Sequence, residues 1–233
     1  MNQVSRHPRA FGRAAQSASD ALWGVYWWMT LGIGVTGVVA LLVAATPSLL
    51  AALVTSPMLL LGLVVGQVVL VIAFSRMAMR VSTPVAAAMF LGYAALTGIT
   101  LSTIFVVYTA TSIATTFFVT AGGFAGLAAF GTVTKRDLSA IGRFAIFALV
   151  GLMLAMVVNF FLGSTLLQLG ISVVGVVLFA ALTAYDTQKL KEIYASGQMP
   201  ANFALVGALT LYLDFINLFM FLLRLLGNRR SDY

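Results

Sequence analysis

The chain of 233 residues contains no cysteine and one histidine, His7. Without cysteine there are no disulfides, no thiolate nucleophile, no Fe–S cluster and no thiolate zinc site. One histidine and six acidic residues leave little material for a metal cage or a catalytic triad, and haem and copper sites are equally poorly provided for. His7, in a basic tail, reads as solvated rather than as a ligand. Charge is scarce: 8% of residues carry it, against about 25% in an ordinary soluble domain. What fills the chain instead is hydrocarbon, with 61% hydrophobic residues and a mean hydropathy of +1.06. A soluble chain this apolar could not cover its own surface with polar groups. The composition therefore excludes a soluble globular enzyme and leaves an integral membrane protein. A net charge of +7 would point to nucleic acid in a soluble protein. Here Lys and Arg belong to short loops that face anionic lipid, and no nucleic-acid partner is expected.

The charges punctuate the apolar sequence. Uncharged blocks of 55, 54 and 42 residues separate Asp20 from Arg76, Arg80 from Lys135, and Arg143 from Asp186. Each is about twice the ~20 residues that cross a bilayer as a helix. Each has a turn signal near its middle: Thr46-Pro47-Ser48, then Tyr108 to Ser112, then Gly163-Ser164-Thr165. Three helical hairpins, or six spans, follow. A further apolar stretch from about Asn202 to Leu226 is long enough for a seventh, taken as a full crossing rather than a re-entrant segment. The runs are continuous, whereas barrel strands alternate in ~10-residue segments, and a helix satisfies its own backbone in lipid. The fold class is an all-α bundle of seven transmembrane helices.

Ten of the thirteen basic residues fall in the N-terminal tail, Arg76–Arg80, Lys135–Arg143 and Lys189–Lys191, which alternate with three uncharged loops. The positive-inside bias places these ten, and the N-terminus, in the cytoplasm. Arg224, Arg229 and Arg230 follow the last segment. The apolar stretch Leu22 to Ala45 exceeds the ~7–15 residues of a signal h-region, so it is read as a retained first span. Trp23, Tyr26, Trp27 and Trp28 sit at its start, where an interfacial aromatic belt belongs; the alternative is that they pack between helices. The chain divides into a basic tail (1–20), a single membrane domain (21–227) and a short C-terminal tail (228–233). The Gly62-x-x-x-Gly66 and Gly122-x-x-x-Gly126 spacings fit close helix packing. Lys135-Arg136-Asp137-Leu138-Ser139 has helix-cap chemistry at Asp137 or Ser139.

Asp214 is the residue that carries most chemistry. It lies in Leu211-Tyr212-Leu213-Asp214-Phe215-Ile216-Asn217-Leu218-Phe219, about twelve residues inside the last span. An ionised carboxylate there costs about 2.5–3.5 kcal/mol on insertion scales. It must face the bundle interior and find a partner, a proton or a cation. Asn217, one turn on, shares its face. Asp186, in Ala184-Tyr185-Asp186-Thr187-Gln188, is either a loop charge or part of a sixth helix that continues to about Tyr194. In the second case it lies roughly 12 Å inside the basic end, and the two carboxylates can meet, with Asn217 and Tyr185 as candidate supporting groups. Two carboxylates in contact in a poorly solvated site cannot both ionise cheaply, so the pair holds one proton between its members. On losing it, the helices repel or recruit a hard cation such as Ca²⁺. A purely structural pair is the alternative. Arg76 and Arg80 either mark topology or, at Arg80, latch the carboxylate site shut.

These residues resemble the Bax inhibitor-1 (transmembrane Bax inhibitor motif, or lifeguard) family in its bacterial branch. The likeness is carried by Gly98-Ile99-Thr100-Leu101-Ser102, by Thr134-Lys135-Arg136-Asp137-Leu138-Ser139, by Leu182-Thr183-Ala184-Tyr185-Asp186-Thr187-Gln188, and by Leu211 to Phe219 with Leu222-Leu223-Arg224. It extends from about Arg80 to Gly227. The resemblance implies seven helices with the last at the centre of the other six, and a pH-sensitive Ca²⁺ leak. It implies that Asp186 and Asp214 are the proton sensor and transient Ca²⁺ ligands, and that Arg80 is linked to the closed state. Family members can carry an acidic residue in the second helix; here that helix, expected from about Leu50 to Ser75, has none, and Gln67 is its only strongly polar residue in the relevant half. Eukaryotic relatives are tied to cell-death suppression and bacterial ones to a membrane protease.

The leading expectation is therefore a pH-sensitive, calcium-permeable leak in a bacterial plasma (inner) membrane, with no tightly bound cofactor, Ca²⁺ as permeant ion and H⁺ as regulator. The alternative is a non-conducting regulator that binds a membrane protease or another partner. A secondary transporter would show inverted repeats and broken helices, neither of which is clear. An enzyme is not expected, since no nucleophile–base pair or metal-ligand cluster is legible.

Overall fold

A computed structural model describes the backbone from Pro8 to Arg230 except Gln198 and Pro200, and side chains from Leu22 onward. Arg6 and His7 lie outside the described residues, as do the side chains of Arg9 and Arg13. Among the described residues nine helices follow in order: α1 (Pro8–Ala44), α2 (Pro47–Thr55), α3 (Pro57–Met77), α4 (Thr83–Leu101), α5 (Ile104–Val107), α6 (Ala110–Val133), α7 (Ser139–Leu162), α8 (Thr165–Ala195) and α9 (Phe203–Leu226). Seven stretches are long and apolar enough to cross a bilayer: Leu22–Ala44, α3, Thr83–Val107, α6, α7, α8 and α9. The chain is an all-α integral membrane protein of seven helical spans.

The prolines and small polar residues decide where helices begin. Pro47, Pro57 and Pro84 open α2, α3 and α4 within their first two positions, where a missing N–H costs nothing. One boundary differs from expectation. The turn at Thr46-Pro47-Ser48 does not lead straight into a helix from Leu50; α2 intervenes, and the second span starts at Pro57. Pro57 pushes Ser56 to an extended conformation (φ −118°, ψ 91°), and the Ser56 hydroxyl accepts from Leu59 N at 3.4 Å. The other two turns fall where expected. Thr109 caps α6 by accepting from Ser112 N at 3.2 Å, and Gly163 closes α7 in the left-handed region (φ 61°). α8 runs unbroken past Asp186 to Ala195.

α9 is the most buried span. Twenty-four residues give it a length of roughly 36 Å. Its two ends are tied to opposite ends of the bundle. At the basic end Asn202 Nδ2 donates to Ala78 O (2.7 Å) and Val81 O (3.0 Å) in the turn between α3 and α4. At the other end Asn228 N donates to Ser112 Oγ (2.8 Å), Thr109 N to Asn228 O (3.2 Å) and Arg230 N to Val107 O (3.0 Å). The last segment therefore crosses fully, and Arg229 and Arg230 lie at the end opposite the other loop charges. α9 packs on α8, α1 and α6, and more lightly on α4; α3 and α7 form an outer layer on α4 and α8. Its fully buried Tyr212 meets the rings of Phe90 and Tyr93 edge-on at 5.8 Å. Its hydroxyl lies 2.6 Å from Thr36 Oγ1, which donates on to Ala94 O at 2.9 Å.

At the start of α1 the aromatics divide between the two expected roles. Trp23 and Trp27 are 69% and 60% exposed, as a belt requires, while Tyr26 and Trp28 pack against the core. The expected glycine contacts are not made. A Cβ at Gly62, Gly66, Gly122 or Gly126 would meet nothing within 4 Å. The i, i+4 spacing sets which glycines share a face but not whether another helix covers it. Close approach occurs at other glycines, including Gly98, where a Cβ would fall 2.6 Å from Thr36 O and 2.8 Å from Val39 Cβ. Gly98→Leu is expected to lower the stability of the purified protein by about 1–3 kcal/mol through overpacking of α4 on α1. Gly66→Leu should stay within about 0.5 kcal/mol of the parent, both read from thermal unfolding in detergent.

Candidate functional site

The site lies where α8 and α9 run antiparallel. Their register is set on both sides of it. Toward the basic end Leu190 of α8 sits over Gly207 of α9, whose Cβ, if present, would lie 2.9 Å from Leu190 Cδ2. Toward the other end Phe179 stacks on Phe221 at 5.8 Å. Asp186 and Asp214 fall at the level between these contacts, with their carboxyls within hydrogen-bonding reach of each other. Asp214 is 4% exposed, and among the described residues no donor group reaches its buried Oδ2. Asp186 is half-buried, and the charge acting on it besides Asp214 is Lys189.

The neighbouring polar groups are engaged elsewhere. The buried Thr183 and Thr187 hydroxyls donate to Phe179 O (2.7 Å) and Thr183 O (2.8 Å) of their own helix. Asn217 Nδ2 donates to Leu213 O at 2.8 Å. Tyr185 points to α7, where its ring lies against Gly142, with Lys189 Nζ 5.7 Å from the ring centroid. Arg80 is exposed in the turn after α3 and is not among the charges acting on either aspartate. The structure thus joins Asp186 to Asp214 and does not bring Asn217, Tyr185 or Arg80 to them. An ionised carboxylate offers acceptors only. Two of them meet comfortably only with a proton or a cation between them. Among the described residues no group of three or more His, Cys, Asp or Glu could hold a metal ion. Two carboxylates supply only part of the six to eight oxygens Ca²⁺ takes.

Three residues that sequence reasoning did not single out frame the site. Gln188, two residues beyond Asp186, accepts from Leu138 N (2.9 Å) and donates to Arg136 O (2.8 Å). Lys191 Nζ donates to Thr132 O at 2.6 Å. Gln188 pins the basic loop between α6 and α7, and Lys191 the last turn of α6, onto the end of α8. Asn202 ties the turn bearing Arg80 to the start of α9. Gln188 stands in the Tyr-Asp-Thr-Gln run, so a signal for it existed. Lys191 and Asn202 act through backbone carbonyls distant in sequence and had none. Gln67, the lone strongly polar residue in its half of the second span, is tied to α4 by a 2.6 Å bond from Nε2 to Thr100 Oγ1. In the loop, Ser139 N donates to Asp137 Oδ1 at 2.8 Å. The Ser139 side chain and then its backbone N–H hold the Asp137 carboxyl below the usual carboxylate range.

Seven membrane helices around a carboxyl pair buried between the last two define the class. The family model described as "Inhibitor of apoptosis-promoting Bax1" matches residues 19–231. The Escherichia coli K12 inner membrane protein YbhL is 48% identical over 211 residues, covering 88% of this chain and 90% of that protein. A protein of Deinococcus radiodurans is 48% identical over 209 residues, covering 88% and 89%. A membrane protein of Streptococcus pyogenes serotype M3 is 38% identical over 212 residues, covering 89% and 91%. The chain belongs to the Bax inhibitor-1 family.

Gln188→Leu removes both bonds to the loop, each worth about 0.5–1.5 kcal/mol. It is expected to speed hydrogen exchange at the Leu138 amide while leaving α9 amides protected. The Asp137 cap is sensitive to strong acid. Its carboxyl titrates below its unfolded value, so the cap is complete above that value, about 3.9, and is lost as pH falls through the folded one. Ser139 amide protection, corrected for intrinsic exchange, should therefore be constant from neutral pH down to about 5 and fall only in stronger acid.

Proposed function

We propose that this protein is a pH-sensitive, calcium-permeable leak, gated by the proton held between Asp186 and Asp214. The observation that supports this reading is the Asp214 carboxyl, buried against that of Asp186, with no donor reaching its Oδ2 among the described residues. With the proton in place, α8 and α9 stay closed on each other. Without it, two like charges in a poorly solvated site repel, and the strain is relieved by separation of the helices or by a cation drawn between them. Asp186 and Asp214 act as transient Ca²⁺ ligands. Arg80, carried by the turn that Asn202 anchors to α9, is the latch when that turn swings toward the pair. The basic loops and the N-terminus face the cytoplasm by the positive-inside bias, and the membrane is the bacterial plasma membrane, as the name of the Escherichia coli relative suggests.

The test is Ca²⁺ flux into liposomes holding the purified protein, stepped from pH 8 to pH 6. The parent is expected to show pH-dependent flux, and Asp186→Asn and Asp214→Asn are each expected to flatten it. Unchanged pH dependence in Asp214→Asn removes the core of the proposal. No flux at any pH from folded protein makes the chain a non-conducting regulator of a membrane protease or another partner, with the aspartates structural.

A further inference from the structure

α1 and α6 both lean on α9 yet barely approach one another. The gap between them holds two cavities, of about 350 and 600 Å³, which share Ile33, Phe117 and Phe215 in their walls. One reaches Leu101 and Ala110, at the uncharged end of the bundle; the other reaches Thr132 and Val133, at the basic end. The seam therefore follows α6 along its 24 residues, a length comparable to the ~30 Å hydrocarbon core of a bilayer. Small residues make the room. Gly37 on one wall has nothing within 4 Å of where its Cβ would be, and Ala114, Ala121 and Ala125 line the other. The floor includes Phe215 and Phe219 of α9, both buried.

We propose that this cleft is a binding site for an acyl chain of a membrane lipid. Water is a poor occupant. In the first cavity the Thr36 hydroxyl, the one polar side chain in the wall, is used by Tyr212 and Ala94; in the second, Thr132 donates to Ala128 O at 2.8 Å and Tyr26 and Thr30 are the other polar side chains in an otherwise apolar wall, whereas a buried water needs two to four polar partners. Left empty, the walls forfeit their dispersion contacts. Hydrocarbon is what remains, and it is at hand. The cleft is continuous with the lipid-facing surface, since Phe118 at its lip is 72% exposed and Leu41 is exposed beside it. A chain seated here touches Phe215, the residue after Asp214, so the bilayer reaches the helix that bears the buried carboxyl through a side door rather than through the loops.

The absence of cysteine makes the test direct. Gly37→Cys places one thiol in the cleft, and Val68→Cys, on the exposed face of α3, is the outer reference. Each is labelled with bimane and reconstituted in phosphatidylcholine vesicles whose chains carry bromine, or in ordinary vesicles with iodide in the buffer. Brominated chains are expected to quench both labels and iodide neither. Adding Ala114→Phe, which fills the cavity, should remove most of the quenching at position 37 and leave position 68 unchanged. Ala125→Cys with Ala121→Phe repeats the test in the second cavity should the first pair fail to fold. Quenching by iodide would make the cleft a water path, and quenching by neither would mean that protein covers it. Bromine quenching that survives the filling substitution would place the label on the outer surface. Each of these three results overturns the proposal.

Discussion

Hydrocarbon offers no hydrogen bonds, so a carboxyl placed in the middle of a span has to be answered from inside the protein. Asp214 is answered by the Asp186 carboxyl, and among the described residues no donor reaches its Oδ2. That requirement explains much of the arrangement around it. α9 must be interior, so the other spans give it cover, with α3 and α7 relegated to an outer layer. α8 must lie antiparallel to α9 in one register, and Gly207 and the Phe179–Phe221 stack hold it there from below and above.

The remaining polar groups secure the frame without relieving the pair. Tyr212, on the far side of α9, is locked to α1 through Thr36, and Asn202 and Asn228 fasten the two ends of the helix to turns of other helices. Thr183, Thr187 and Asn217 return their donors to their own helices. A buried polar group left unanswered is costly, and among the described residues the buried side-chain atoms so placed are Asp214 Oδ2 and Asn159 Oδ1. The end of α8 is in turn fastened to the basic loop by Gln188 and to the last turn of α6 by Lys191.

Much of this was legible in the chain. Long uncharged blocks defined six spans and a seventh because crossing a bilayer is a matter of length and apolarity, both local properties. The turns at Thr109 and Gly163 were marked by residues whose own chemistry makes them. Ser56-Pro57 carries the same kind of signal as Pro47, and the two together bound α2. The glycine pairs at 62/66 and 122/126 misled for a different reason: a small residue permits close packing, but only the bundle determines whether a neighbour is there.

Composition, the charge gaps and the position of Asp214 within an apolar run determined by themselves that the chain crosses the membrane seven times with a carboxyl held inside. Those conclusions follow from transfer free energies that each segment meets alone. That Asp186 is the partner, that Tyr185 turns away to α7, that Gln188 holds the loop, and that α1 and α6 part to leave a cleft along α9 were decided only by the tertiary structure. Each depends on the rotation and register of one helix against another, and those are settled by the shapes of many side chains at once rather than by any stretch of sequence.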